Sequence, residues 1–270
     1  MKYFVFSFYL SLSFFGRIHA QYIQGARMAA LSGSAIAQSD AFAGFHNLSA
    51  SSELKGLNCS FYGQIPYGIS AINDGGVAFL KRFGTGVMGV VCQSYGNIEF
   101  NRKRVNVGYA MVLSQKLSAS ASLGYSSTRI MNGYGVASNF WMNVGATYNV
   151  RKDWKWAAVA DLPMTSIKNE EDLPATLKLG TTYSFGEQVS LSAQLSSSTS
   201  QIASLSYSFG LEYFPIEVFA FRLGMNTHWQ TWSMGVGTRL KNYSLDASAT
   251  VHPQLGITPQ ISFIYGRNNN

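Results

Sequence analysis

The chain has 270 residues, of which 47% are hydrophobic and only 12% charged, with 20 Lys and Arg against 13 Asp and Glu. Soluble domains carry about 25% charged residues, and here Ser, Gly, Thr and Asn take that place, a composition foreign to a cytosolic enzyme. The basic residues are scattered near turns rather than drawn into a stripe, so no nucleic-acid partner is expected.

Residues 1–20, MKYFVFSFYLSLSFFGRIHA, place Lys2 before an apolar run from Tyr3 to Phe15 and end on Ala20. That is the layout of a secretory signal peptide cut after Ala20. A spanning helix needs ~20 apolar residues, and Arg17 closes this run early. Removing the segment leaves 18 basic and 13 acidic residues, a charge of +5. Residue 21 is Gln, so no lipoprotein anchor is indicated. No later window has the ~18 consecutive apolar residues of a helical span.

Residues 21–56 do not alternate. They are rich in small residues, with a helical pattern around 24–37. The segment is too apolar for a solvated tail. It suits a plug inside a barrel mouth, since a wide barrel leaves a lumen that small side chains do not fill.

From residue 57 onward the pattern is strict alternation. In KLSASASLGYSS (116–127), Leu117, Ala119, Ala121, Leu123 and Tyr125 alternate with Ser118, Ser120, Ser122, Gly124 and Ser126. A two-residue period is the signature of a strand with unlike faces. About fourteen such segments follow one another: 57–65, 74–82, 84–94, 103–114, 116–128, 138–150, 153–162, 172–184, 187–197, 202–213, 216–226, 230–240, 241–252 and 258–266. Each is near the ~9–11 residues of a tilted transmembrane strand. Tight turns at Lys116, Arg151-Lys152, Gly186-Glu187, Pro215 and Lys241 alternate with connections that are mostly longer. Aromatics such as Trp154, Trp156, Tyr183, Phe214 and Tyr243 gather by the tight turns, and Tyr125, Phe140, Trp141, Trp229 and Trp232 by the others, as interfacial belts do. The fold class is therefore all-β: a transmembrane antiparallel up-and-down barrel of about fourteen strands (57–270) with a small N-terminal plug (21–56). Its apolar stripes face lipid and its serines face inward, the reverse of a soluble sandwich.

Strand parity sends Lys155, Asp161, Lys178, Glu212, Arg222, Arg239 and Asp246 into the lumen. They either pair with one another and with the plug, or line a weakly selective polar path. Cys59 and Cys92 stand on strands with a whole strand between them, ~9–10 Å of sheet, beyond the about 7 Å that a disulfide spans. They are expected unpaired.

No enzyme chemistry emerges. GTGVMG at 84–89 matches a dinucleotide fingerprint but enters a strand, where a helix is required. Asp246, Ser248, Thr250 and His252 share a face, yet successive same-face residues lie ~7 Å apart, too far for a nucleophile and its base. His46 and His228 lack metal-ligand spacing, so no metal or cofactor is expected. EEDLP at 170–174 reads as a solvated acidic loop tip.

GARMAALSGSAIAQSDAFAGFHNLSAS (25–51) and SLDASATVHPQLGITPQISFIYG (244–266) resemble the opening segment and closing hairpin of FadL-like outer-membrane barrels, most of all the PorV/PorQ-type branch of Bacteroidota. Asn47-Leu48-Ser49 stands where that branch has Asn-Pro-Ala, which loosens the turn. The resemblance implies an outer-membrane accessory of type IX secretion, docking or handing over exported proteins beside the membrane lipid. A second reading is a FadL-like channel for small hydrophobic molecules, with Met28, Leu31, Ile36, Phe42 and Phe45 lining a pocket between plug and wall. A third is a structural barrel with a closed lumen.

Overall fold

The computed structural model describes residues 23–131, 135–166, 174–199, 204–228 and 230–267. Residues 1–20, expected to be a signal peptide, Trp229 and most of the acidic EEDLP tip lie outside them. Fourteen strands follow in chain order: β1 (Lys55–Gln64), β2 (Asn73–Phe83), β3 (Gly86–Gly96), β4 (Phe100–Val112), β5 (Leu117–Ile130), β6 (Gly135–Arg151), β7 (Trp154–Ser166), β8 (Thr176–Phe185), β9 (Val189–Ser198), β10 (Ser204–Ile216), β11 (Phe219–Asn226), β12 (Thr231–Arg239), β13 (Tyr243–His252) and β14 (Gly256–Arg267). Each pairs antiparallel with its neighbour in sequence, and β1 pairs with β14, so the sheet closes into a barrel. Closure leaves no strand edge unsatisfied, as a span through lipid requires. No helix among the described residues is long and apolar enough to cross a membrane.

The two faces separate as the alternation requires. Leu123, Leu223 and Ile261 point outward at 56–59% exposure, while Ser118, Ser120 and Ser122 point inward at 5–7%. Uncharged outward residues form the lipid stripe, and hydroxyls line the interior. GTGVMG makes the β2–β3 hairpin: Gly84 sits at φ +61° in the turn, and Gly86 begins β3. Pro215 lies within β10, and the tight turn falls one step later, at Glu217 and Val218. Cys59 and Cys92 are both free, on β1 and β3, with β2 between them.

The interior is filled by the N-terminal segment. It contains two short helices, α1 (Ala26–Ala30) and α2 (Ala43–His46), then a 3₁₀ turn at Leu48–Ser51 leading into β1. The helical pattern around 24–37 shrinks to five residues. Ser32 (φ 51°) and Gly33 (φ 79°) turn the chain out of α1, and no side chain caps its N-terminus. Packing against the wall holds this segment, not helix propensity.

Candidate functional site

The plug meets the wall at interior glycines. Gly89 and Gly108 receive Leu48, Gly145 receives Asn47, Gly180 receives Ile36, and Gly210, Gly224 and Gly235 receive residues 30–34. A Cβ on Gly224 would stand 2.5 Å from the Leu31 carbonyl carbon, and one on Gly180 2.6 Å from Ile36 Cγ1. Side chains are missing where the plug's backbone needs the space.

Hydroxyls supply the polar contacts. Ser262 Oγ accepts from the Ala26 amide (3.1 Å), Ser32 and Ser34 meet Ser233 (3.0 Å) and Ser192 (2.7 Å), and Ser52 donates to Ser118 (2.7 Å). Asn47 is the hub of the second half. Its Nδ2 donates to the Ile36 carbonyl and to Thr147, and its Oδ1 accepts from the Ser49 amide and hydroxyl. The turn without its proline is therefore not loose: Asn47 ties it, and Leu48 is buried against Leu80, Val87 and Ala110.

A buried ionic chain locks the plug to the opposite wall. Arg27 of α1 binds Glu212 through two nitrogens (2.9 and 2.7 Å) and Asp40 through the third (3.0 Å). Arg222 donates to Glu212 (2.6 Å) and to Asp246 (2.7 Å). Glu212 and Asp246 are each 1% exposed. Asp246 thus serves Arg222, not a catalytic triad, and His252 Nδ1 accepts from the Gln254 and Leu255 amides to close the β13–β14 turn.

The other charges lie nearer the rims. Asp161 accepts from Asn143, Thr176 and Lys178. Lys155 pairs with Glu53 at the plug's exit. Arg239 lies 4.6 Å over the ring of Phe214, which is buried inside the tight-turn rim and not in a lipid belt. Trp141 also turns inward, on the bare face of Gly124 and under Arg104. It was expected with Phe140 in an interfacial belt, but standing one step from the outward Phe140 it has the inward parity. Arg27 was not readable: nothing in a segment without periodicity marks it as a partner of the wall.

Of the five plug residues, Met28, Leu31 and Ile36 pack together against Ala157 and Val159 of β7. Phe42 and Phe45 form a separate aromatic group with Tyr62 (centroids 5.4–6.5 Å). A small cavity touches Met28, Ile36 and Phe42, with Arg27, Asp40 and His46 on its polar side, but not Leu31 or Phe45. It has room for about one water. His46 Nε2 donates to the Gln24 carbonyl (2.7 Å), and burial pushes its imidazole down to about 4 against the pull of that bond. Among the described residues, no group of three or more His, Cys, Asp or Glu is placed to hold a metal ion.

No family model matches the chain, and no curated protein matches it in sequence. Solved structures match its fold. The toluene transporter TbuX of Ralstonia pickettii superposes with a TM-score of 0.67 at 15% identity, over 90% of this chain and 98% of that one. The CymD monoaromatic hydrocarbon channel gives 0.67 at 11% identity, over 91% and 98%. The toluene transporter TodX of Pseudomonas putida gives 0.67 at 11%, over 92% and 98%. The architecture is thus a plugged barrel of the FadL-like type.

Proposed function

We propose that the protein is an outer-membrane channel for small hydrophobic molecules, with residues 23–54 as its plug. The observation that carries this reading is the fold shared over about nine-tenths of the chain with TbuX, CymD and TodX. The aromatic group of Phe42, Phe45 and Tyr62 on the plug's upper side adds to it, because stacked and edge-on rings favour an apolar, planar guest. With the plug seated, the cavity beside Met28, Ile36 and Phe42 has room for about one water, so passage there requires the plug to shift locally.

The export-accessory reading rests on the GAR and HP-x-LG-x-T stretches. In this barrel both have structural work of their own. Arg27 anchors the plug, His252 closes a turn, and Thr258 accepts from the Tyr67 amide. These roles explain the motifs without a secretion partner, and none of the similar structures named above is a secretion protein.

The test is uptake of radiolabelled toluene by intact Gram-negative cells carrying the barrel, against cells carrying an empty vector. Initial uptake several-fold faster with the barrel is expected. Equal rates, with the barrel folded and present in the outer membrane, would overturn the reading.

A further inference from the structure

Charge is rare on the outer face of the wall. Leaving aside the terminal residue of each strand, the outward positions among the described residues carry it at three places: Lys81 near the tight-turn rim, and Lys103 and Arg129 near the loop rim. The last two stand on neighbouring strands, β4 and β5. Register sets Lys103 opposite Ser127 and Asn101 opposite Arg129, so Lys103 and Arg129 are diagonal neighbours on one face, about 7–8 Å apart. Both are exposed. Neither makes an ion pair among the described residues, and Glu99, the acid of the β3–β4 turn, pairs with neither.

Like charges at this spacing repel each other. An outward charge also costs about 2–4 kcal/mol at mid-membrane, falling to about 0–1 at the interface. Both costs vanish at headgroup depth with an anion between the two cations. The wall marks that depth. Val105 pairs with Tyr125, and Tyr125 with Phe140. The two rings lie 5.1 Å apart, where an interfacial belt belongs. Lys103 stands one same-face step beyond Val105, ~7 Å along the strand, and Arg129 two steps beyond Tyr125. On the membrane side of the rings the panel is apolar, with Val107, Leu123 and Val144 exposed. Beside the cations it carries hydroxyls. Ser94 and Ser127 flank Lys103, and Ser138, opposite Ser127, shares a 2.9 Å hydrogen bond with Tyr125 Oη.

Apolar stripe, rings, hydroxyls and paired cations follow one another toward the loop rim. That order complements a lipid whose acyl chains hang from a phosphorylated sugar: chains on the stripe, sugar over the hydroxyls, phosphate between the cations. Longer loops mark the outer side of such a barrel and tight turns the periplasmic side, which puts the panel in the outer leaflet.

We propose that this face of β4, β5 and β6 binds a phosphorylated, multiply acylated sugar lipid of the outer leaflet, with one phosphate between Lys103 and Arg129. The site is independent of the channel reading, since it lies on the outside of the wall.

The test is native mass spectrometry of the full barrel in an uncharged detergent, titrated with diphosphoryl lipid A and with phosphatidylglycerol, an anionic lipid without the sugar. Lipid A is expected to bind several-fold more tightly than phosphatidylglycerol, and more weakly as ammonium acetate rises. The double variant Lys103→Gln, Arg129→Gln should lose about tenfold or more for lipid A, whereas Lys81→Gln, at the other rim, should bind as the parent does. An unheated gel confirms that each variant is a folded barrel. Equal affinity for the two lipids, equal binding by the double variant and the parent, or an equal loss in Lys81→Gln would overturn the proposal. Toluene uptake separates the two readings: its failure removes the channel and leaves the lipid site, and failure of lipid A binding removes the site and leaves the channel.

Discussion

Replacing Glu212 with Gln removes the negative charge that joins plug to wall. In the parent, this carboxylate faces two buried guanidiniums, Arg27 and Arg222, at 2.6–2.9 Å. After the change, Arg27 keeps only Asp40 and Arg222 only Asp246. Removing one partner of a buried ion pair costs about 3–5 kcal/mol, because a desolvated charge is left behind. Asp40→Asn is the internal control. Its pair with the same Arg27 is more open, at 20% side-chain exposure against 2% for Glu212, and Arg27 keeps Glu212, so its loss costs less. With an unfolding slope of ~2 kcal/mol per molar urea, Glu212→Gln should lower the urea midpoint in micelles by roughly 2 M, and Asp40→Asn by clearly less. Unheated gel migration and tryptophan fluorescence report the transition. Equal shifts for the two variants, or none for Glu212→Gln, would refute the view that the buried half of this chain holds the plug.

Two further outcomes follow from the geometry. Gly224→Ala forces a Cβ onto the plug's backbone, whereas one on Gly63 meets nothing within 4 Å. Overpacking costs about 1–3 kcal/mol, so Gly224→Ala should lower the urea midpoint measurably and Gly63→Ala should leave it in place. His46 is neutral in the folded plug and accepts a proton only near pH 4, while the unfolded chain takes one near 6.5. The unfolded state therefore binds more protons between those values, and plug stability should fall as pH drops from about 6.5 to about 4. Amide protection across residues 23–52, taken relative to the intrinsic exchange rate at each pH, should fall in that window, and His46→Gln should flatten the dependence.

The strands were legible because hydroxyls and apolar residues alternate without interruption, as at 116–127 and 204–213, and because turns recur at near-constant spacing. Facing followed from the same parity. Arg104 shares the inner-face parity of Asn106 and Gly108, yet it was not among the seven inward charges read from the alternation, and Tyr62 and Asp74 come beside it only through the register of four strands. The plug's path was the least legible part. Its helices have five and four residues, too short for periodicity to show. Its course is set by where the wall lacks side chains, a property of distant strands. Gly180, Gly210 and Gly224 read in sequence as ordinary strand glycines, and only the plug's approach gives them a purpose.

That girdle of bare wall bears on how the barrel is made. At its level the cylinder bears glycines and short side chains that contact the plug but do not fill the lumen, so the plug is the form on which it closes. The plug also leaves the ribosome before any strand and is present when the first hairpins meet. Excising it would not convert the protein into an open pore. The strands would lose their mandrel, and assembly would stall before β1 reached β14.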